Sequence, residues 1–290
     1  MICPAAVRTQ ASLGQTTVTI VYPAPVVAGG KAPVTTSCTP VSGASFGVGT
    51  TTVSCTASDA ATQSAACSIP VTVDPAPVPR LSATNFMAFG DSMTEGKVTL
   101  AGVRDLTFPP SYTNKLAVML QSRYSAQTIV LTNEGNGGNT AVADVDRFDR
   151  TLDADKPQVV LLMEGANDLH GFGDAAVDPV IHALDAMAGR ATIRGISVFL
   201  ATLPPENQAG SNGAGAPFVP SLNAKIVSLA ASRQLVLVDV SAAFHGDLSL
   251  IGADGLHPTD AGYQVIAQTF YDRIVARLEL PATASSLGPR

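Results

Sequence analysis

The sequence has no apolar run approaching the roughly 20 residues that a membrane-spanning helix needs. It has no basic run and no basic amphipathic segment: 17 Lys and Arg face 23 Asp and Glu, for a net charge of -6. That sign argues against nucleic acid or an anionic membrane surface as the main partner. No cysteine follows Cys67 and no CxxC pair occurs, which argues against zinc. Tryptophan is absent altogether. The opening Met1-Ile2-Cys3 lacks the charged and apolar regions of a secretory leader, so the expectation is a trimmed native N-terminus. Disorder is excluded by what is plentiful: 46% of residues are hydrophobic and the mean hydropathy is +0.26.

The few charges are unevenly spread. Residues 1–74 hold only Arg8, Lys31, Asp59 and Asp74, which cancel, so the net charge belongs to the remainder. All four cysteines, Cys3, Cys38, Cys55 and Cys67, also lie in this first part. An even set in one small segment reads as two disulfides and an oxidising compartment, with three pairings open. Residues 15–22, 50–57 and 67–73 alternate polar and β-branched residues, the spacing of strands in a small antiparallel sandwich. Val53, Cys55 and Ala57 share one face, as do Cys67, Ile69, Val71 and Val73, so these cysteines are expected to point inward.

Ile2-Cys3-Pro4, the stretch Cys38–Ala60 and Cys67–Val73 resemble a hyalin repeat (HYR) module, which implies an immunoglobulin-like fold over residues 1–74. The resemblance breaks at Ala61-Thr62-Gln63, where such modules often carry a Gly-Asn turn. Residues 75–80 are a Pro-rich spacer. A second domain is expected over 81–280, with a short tail at 281–290.

In that second part apolar runs at 86–89, 129–131, 159–163, 196–200 and 235–240 read as buried parallel strands. Helical periods separate them. One places Tyr112, Leu116, Met119 and Leu120 on a face, and the last places Tyr263, Ile266, Ala267, Phe270 and Ile274 together. Strands alternating with helices predict a doubly wound α/β sheet, with functional residues at the strands' carboxyl ends.

Four segments fall at those ends. Gly90-Asp91-Ser92 can expose a hydroxyl there, although the same tripeptide is an ordinary turn. It is not a GxSxG elbow, because Thr94 takes the last glycine position. Asp254-Gly255-Leu256-His257-Pro258 offers a histidine base and a carboxylate to orient it, three residues apart; it also reads as a helix opening on Pro258. The glycine-dense loop Asn133–Thr140 lets backbone N–H groups approach a ligand, but no lysine follows it as in a phosphate-binding loop. Gly165-Ala166-Asn167-Asp168 sets an amide donor at a strand end, or caps a turn.

Taken in order, these segments resemble the four blocks of the SGNH (GDSL-type) hydrolases over roughly residues 83–278. The resemblance implies a three-layer α/β/α fold with a five-stranded parallel sheet. It implies Ser92 as nucleophile, His257 as general base and acid, and Asp254 as the residue that orients His257. It implies an oxyanion hole made of the backbone N–H of Ser92 and Gly138 with the side-chain amide of Asn167, and supporting roles for Gly90, Asp91 and Asp168. No cofactor and no metal is implied. His170, His182 and His245 read as surface or loop histidines, and Asp144, Asp146, Asp149 and Asp153 with Arg147 and Arg150 as a solvated helix face.

The expected activity is hydrolysis of a small carboxylic ester, short-chain acyl or aryl, by a secreted protein. Alternatives are an acetyl esterase acting on carbohydrate, or an adhesion or glycan-binding protein in which hydrolysis is secondary. The first module offers glycan or protein contact but no aromatic stripe for stacking on sugars. The Gly-rich loop 204–220, and Leu100, Val103, Leu106 and Phe108 in the loop 96–110, are candidates to border the site.

Overall fold

The computed structural model describes residues 1–96 and 111–281. The loop carrying Leu100, Val103, Leu106 and Phe108 therefore lies outside the described residues, as does the tail after Pro281. The described chain forms two compact units, residues 1–78 and 79–281.

The first unit holds β1 (Val7–Gln10), β2 (Thr17–Ile20), β3 (Thr35–Thr39), β4 (Ala44–Gly47), β5 (Gly49–Ser58) and β6 (Ser64–Asp74). One sheet runs β1-β6-β5-β3 and a second pairs β2 with β4. The expected sandwich is antiparallel except at one edge, where β1 lies parallel to β6. Ile20, Phe46, Val53, Ile69, Val71 and Val73 share its core. Cys55 is buried as expected, but Cys67 is only half-buried. The register sets Cys55 opposite both Cys38 and Cys67; the disulfides are Cys38–Cys55 and Cys3–Cys67. At the turn that departs from the hyalin-repeat pattern, Thr62 takes a positive φ of 64°. Asp59 Oδ1 holds it by accepting the N–H groups of Ala61 and Gln63.

The second unit contains β7 (Asn85–Gly90), β8 (Val130–Gly135), β9 (Val159–Met163), β10 (Ser197–Ala201) and β11 (Val236–Val238). They form one parallel sheet in the order β11-β10-β9-β7-β8. The helices are α1 (Ser92–Glu95), α2 (Tyr112–Arg123), α3 (Ala141–Asp155), α4 (Ala166–Phe172), α5 (Val177–Ile193), α6 (Val219–Arg233), α7 (Val240–Ala243) and α8 (Asp260–Leu278). Helix α2 packs on α8, while α3 packs on α5 and α5 on α6, giving a layer on each side of the sheet. This is the expected three-layer α/β/α architecture.

The apolar runs become these strands because burial on both faces removes the need for alternation. Every residue of β9 is buried, and so are Phe86, Met87, Ala88 and Phe89 of β7. Each large side chain so buried contributes about 1.5–3 kcal/mol. Tyr112, Leu116 and Leu120 bury the face of α2 that the period foretold, and Tyr263, Ile266, Ala267, Phe270 and Ile274 that of α8. The strand order reverses between β7 and β9, and a crevice opens at such a switch point at the carboxyl ends of the strands.

Candidate active site

Strand β7 ends at Gly90, where a side chain is impossible. An added Cβ would stand 2.2 Å from Thr94 Oγ1 and 2.3 Å from the Met163 carbonyl. Asp91 then caps α1, its Oδ1 accepting the Met93 N–H at 2.9 Å. Ser92 is therefore the first residue of a helical turn. Its backbone N–H belongs to the turn that has no partner inside the helix. Asp91 is fully buried, and burial pushes its carboxyl up to about 6.

Ser92 Oγ lies 2.7 Å from His257 Nε2. On the far side of the ring, His257 Nδ1 lies 2.5 Å from Asp254 Oδ2. The other oxygen of Asp254 accepts the N–H groups of Leu256 and His257, both at 3.1 Å. These bonds fold residues 254–257 into one turn and aim the carboxylate along the imidazole. Thr259 caps α8 directly after it. A hydroxyl on an imidazole that a carboxylate holds by its other nitrogen is what general-base activation of serine requires.

The loop after β8 approaches the same edge. The N–H of Asn136 donates to the Gly90 carbonyl at 2.9 Å. Gly135 tolerates no Cβ, which would meet the Glu95 nitrogen at 2.1 Å. Gly138 has φ +87°, a left-handed value that suits glycine. After β9, Gly165 opens α4 at φ +122°. Asn167 follows, and its Nδ2 donates to the Asn139 carbonyl at 2.7 Å. An amide nitrogen has two N–H donors, so one remains for a ligand. Asp168 accepts from the N–H of Ala141 at 2.8 Å and of Val142 at 3.4 Å, tying α4 to the start of α3. Burial raises its carboxyl above the ordinary value.

Ser92, Gly138, Asn167, His170, Asn212, Leu256 and His257 line one concavity of 260 Å³. The five expected reacting and donor residues are thus brought together, Asp254 directly behind His257. Gly90, Asp91 and Asp168 stand behind them as scaffold.

Two side chains at this concavity were not expected. His170, read as a surface histidine, is exposed but faces the concavity; His182 and His245 are exposed elsewhere. Asn212 comes from the Gly-rich loop 204–220, which does border the site. Its N–H donates to the Asp254 carbonyl at 2.7 Å and its side chain to Asp254 Oδ2 at 3.3 Å.

The acidic face of α3 needs correction as well. Asp146 and Asp153 are exposed, but Asp144 is buried and bonded to Arg147 at 2.5 Å. The Arg147 guanidinium lies 3.9 Å over the Phe89 ring and donates to the carbonyls of Glu134 and Gly90. It pins the ends of β7 and β8 just before Ser92. Glu164, beside Gly165, is buried near Asp91 and Asp144, and burial holds its carboxyl well above the ordinary range. Among the described residues no cluster fit to hold a metal ion occurs, and no helix is long and apolar enough to cross a membrane.

Residues 88–265 match the model of the GDSL-like lipase/acylhydrolase family. The chain belongs to that family. This GDSL-like acylhydrolase is a carboxylic ester hydrolase. Its residues 1–73 match the HYR domain. Solved structures share the fold of its second unit. One is the lipase/acylhydrolase from Enterococcus faecalis, with 21% identity, a TM-score of 0.57, and coverage of 69% of this chain and 98% of that one. Another is an acetylxylan esterase from Geobacillus stearothermophilus, with 22% identity, a TM-score of 0.54, and coverage of 67% and 95%. A third is an α/β hydrolase from the metagenome of Lake Arreo, Spain, with 24% identity, a TM-score of 0.55, and coverage of 67% and 96%. No curated protein matches the chain.

Proposed function

We propose that the enzyme hydrolyses short-chain carboxylic esters through an acyl-enzyme on Ser92. The observation that carries this reading is the continuous chain from Ser92 Oγ through His257 to Asp254, with spacings of 2.7 and 2.5 Å. Ser92 Oγ attacks the ester carbonyl while His257 Nε2 takes its proton. Asp254 keeps the Nδ1 proton in place and stabilises the imidazolium. The oxyanion accepts from the N–H groups of Ser92 and Gly138 and from the Asn167 amide. Collapse expels the alcohol, which receives the proton from His257. Water repeats the attack and releases the acid.

The two disulfides of the first unit support an extracellular setting for this activity. The deciding experiment is Ser92→Ala. It is expected to abolish hydrolysis of p-nitrophenyl acetate while circular dichroism and melting remain those of the native protein. Near-native turnover in that variant would remove Ser92 from the chemistry.

A further inference from the structure

Ester hydrolysis uses Ser92, His257, Gly138 and Asn167, and leaves His170, Asn212 and Leu256 as the rest of the concavity's lining. Among the described residues Leu256 is its one apolar side chain, and it is almost fully buried. His170 stands three residues after Asn167 on α4, so both project from one face of that helix.

His170 Nδ1 lies 3.2 Å from the Asn212 carbonyl oxygen. A carbonyl oxygen only accepts, so Nδ1 donates to it, and in the neutral imidazole this leaves Nε2 as the acceptor. Asn212 is bonded in turn to the Asp254 carbonyl and carboxylate. His170 is thereby fixed to the wall formed by the Asp254–His257 turn. In the reaction above, that wall is where the departing alcohol meets the proton on His257 Nε2.

We propose that His170 is a specificity-determining residue of an alcohol-side subsite, and that its Nε2 accepts a hydroxyl of a polyhydroxylated alcohol such as a sugar. The proposal rests on Ser92 being the nucleophile. An alkyl or aryl alcohol would cover the imidazole nitrogen without pairing it, whereas a sugar hydroxyl replaces the water it loses. A site with an imidazole acceptor on its alcohol side therefore discriminates by hydroxyls on the alcohol.

The test uses the full chain and two substrates with the same acyl group, 6-O-acetylglucose and ethyl acetate, followed by acid release. The native enzyme is expected to show the higher kcat/KM on 6-O-acetylglucose. His170→Ala is expected to lower kcat/KM on that substrate about tenfold more than on ethyl acetate. A native preference for ethyl acetate overturns the subsite. So does a His170→Ala variant whose preference shifts by less than about threefold, since a merely structural histidine affects both esters alike. Retained turnover in Ser92→Ala overturns Ser92 as the nucleophile, and the subsite with it. An inactive Ser92→Ala beside an unchanged preference in His170→Ala overturns the subsite alone.

Discussion

At the residue scale, the edge of the sheet tolerates little change. Asn167 already spends one N–H on the Asn139 carbonyl, which fixes the amide before any substrate arrives. In the proposed mechanism its second N–H matters when charge develops on the carbonyl oxygen. Asn167→Ala is therefore expected to lower kcat by about 10²–10³ and leave KM nearly unchanged. Steady-state kinetics on p-nitrophenyl acetate check this, and a rise in KM alone would make Asn167 a binding residue. Gly90 is constrained by space. Its added Cβ would press on a backbone carbonyl, which cannot turn away as a side chain can. Gly90→Ala is expected to cost about 1–3 kcal/mol, a fall of several degrees in Tm. Because the displaced atoms belong to Thr94 and to the strand before Asn167, turnover should fall further than stability explains. Calorimetry beside kinetics separates the two effects.

At the scale of elements, the loop 204–220 is the piece the sequence disclosed least. Its glycines look like slack, yet all three mark close contact: Gly210 against Asp254, Gly213 against Asn207 and Gly215 against Glu206. Glu206 is buried, and burial with Asp91 nearby pushes its carboxyl from 4.5 up to about 8. Below pH 4.5 the group is protonated whether the chain is folded or not. Between there and pH 8 the unfolded chain releases the proton and the folded one keeps it, so stability falls across that window. Glu206→Gln removes the ionisation. It is expected to raise Tm by about 3 °C or more at pH 8 and by less than about 1 °C at pH 4.5. Equal effects at both pH values would mean that Glu206 ionises freely in the folded protein. The strands and the four short blocks were legible because each carries its signal locally; Asp254 and His257 are three residues apart. Asn212 was not, since it matters only where a distant loop meets that turn. His170 was half-legible: its spacing from Asn167 on one helix places both on a face. Asp144 differs from the solvated reading because position on the helix, not charge, decides its burial. Its spacing with Phe148 and Leu152 puts it on the buried face of α3.

At the scale of the whole molecule, every group assigned to the reaction belongs to the second unit, and both disulfides to the first. The two are expected to be separable. A protein beginning at Leu81 should hydrolyse p-nitrophenyl acetate within about twofold of the full-length kcat/KM. Reductant should lower the melting of the first unit, where each disulfide contributes about 2–4 kcal/mol, and spare turnover. A loss of more than tenfold in a folded truncated protein would tie the module to the site. The pair proposed to react is far apart along the chain: 165 residues separate Ser92 from His257. Ser92 meets His257, its proposed base, only after β8 to β11 have been made and the turn before α8 has followed. On the proposed mechanism, a growing polypeptide on the ribosome is chemically silent through most of its synthesis, and acquires its esterase activity in one late step, when that turn docks.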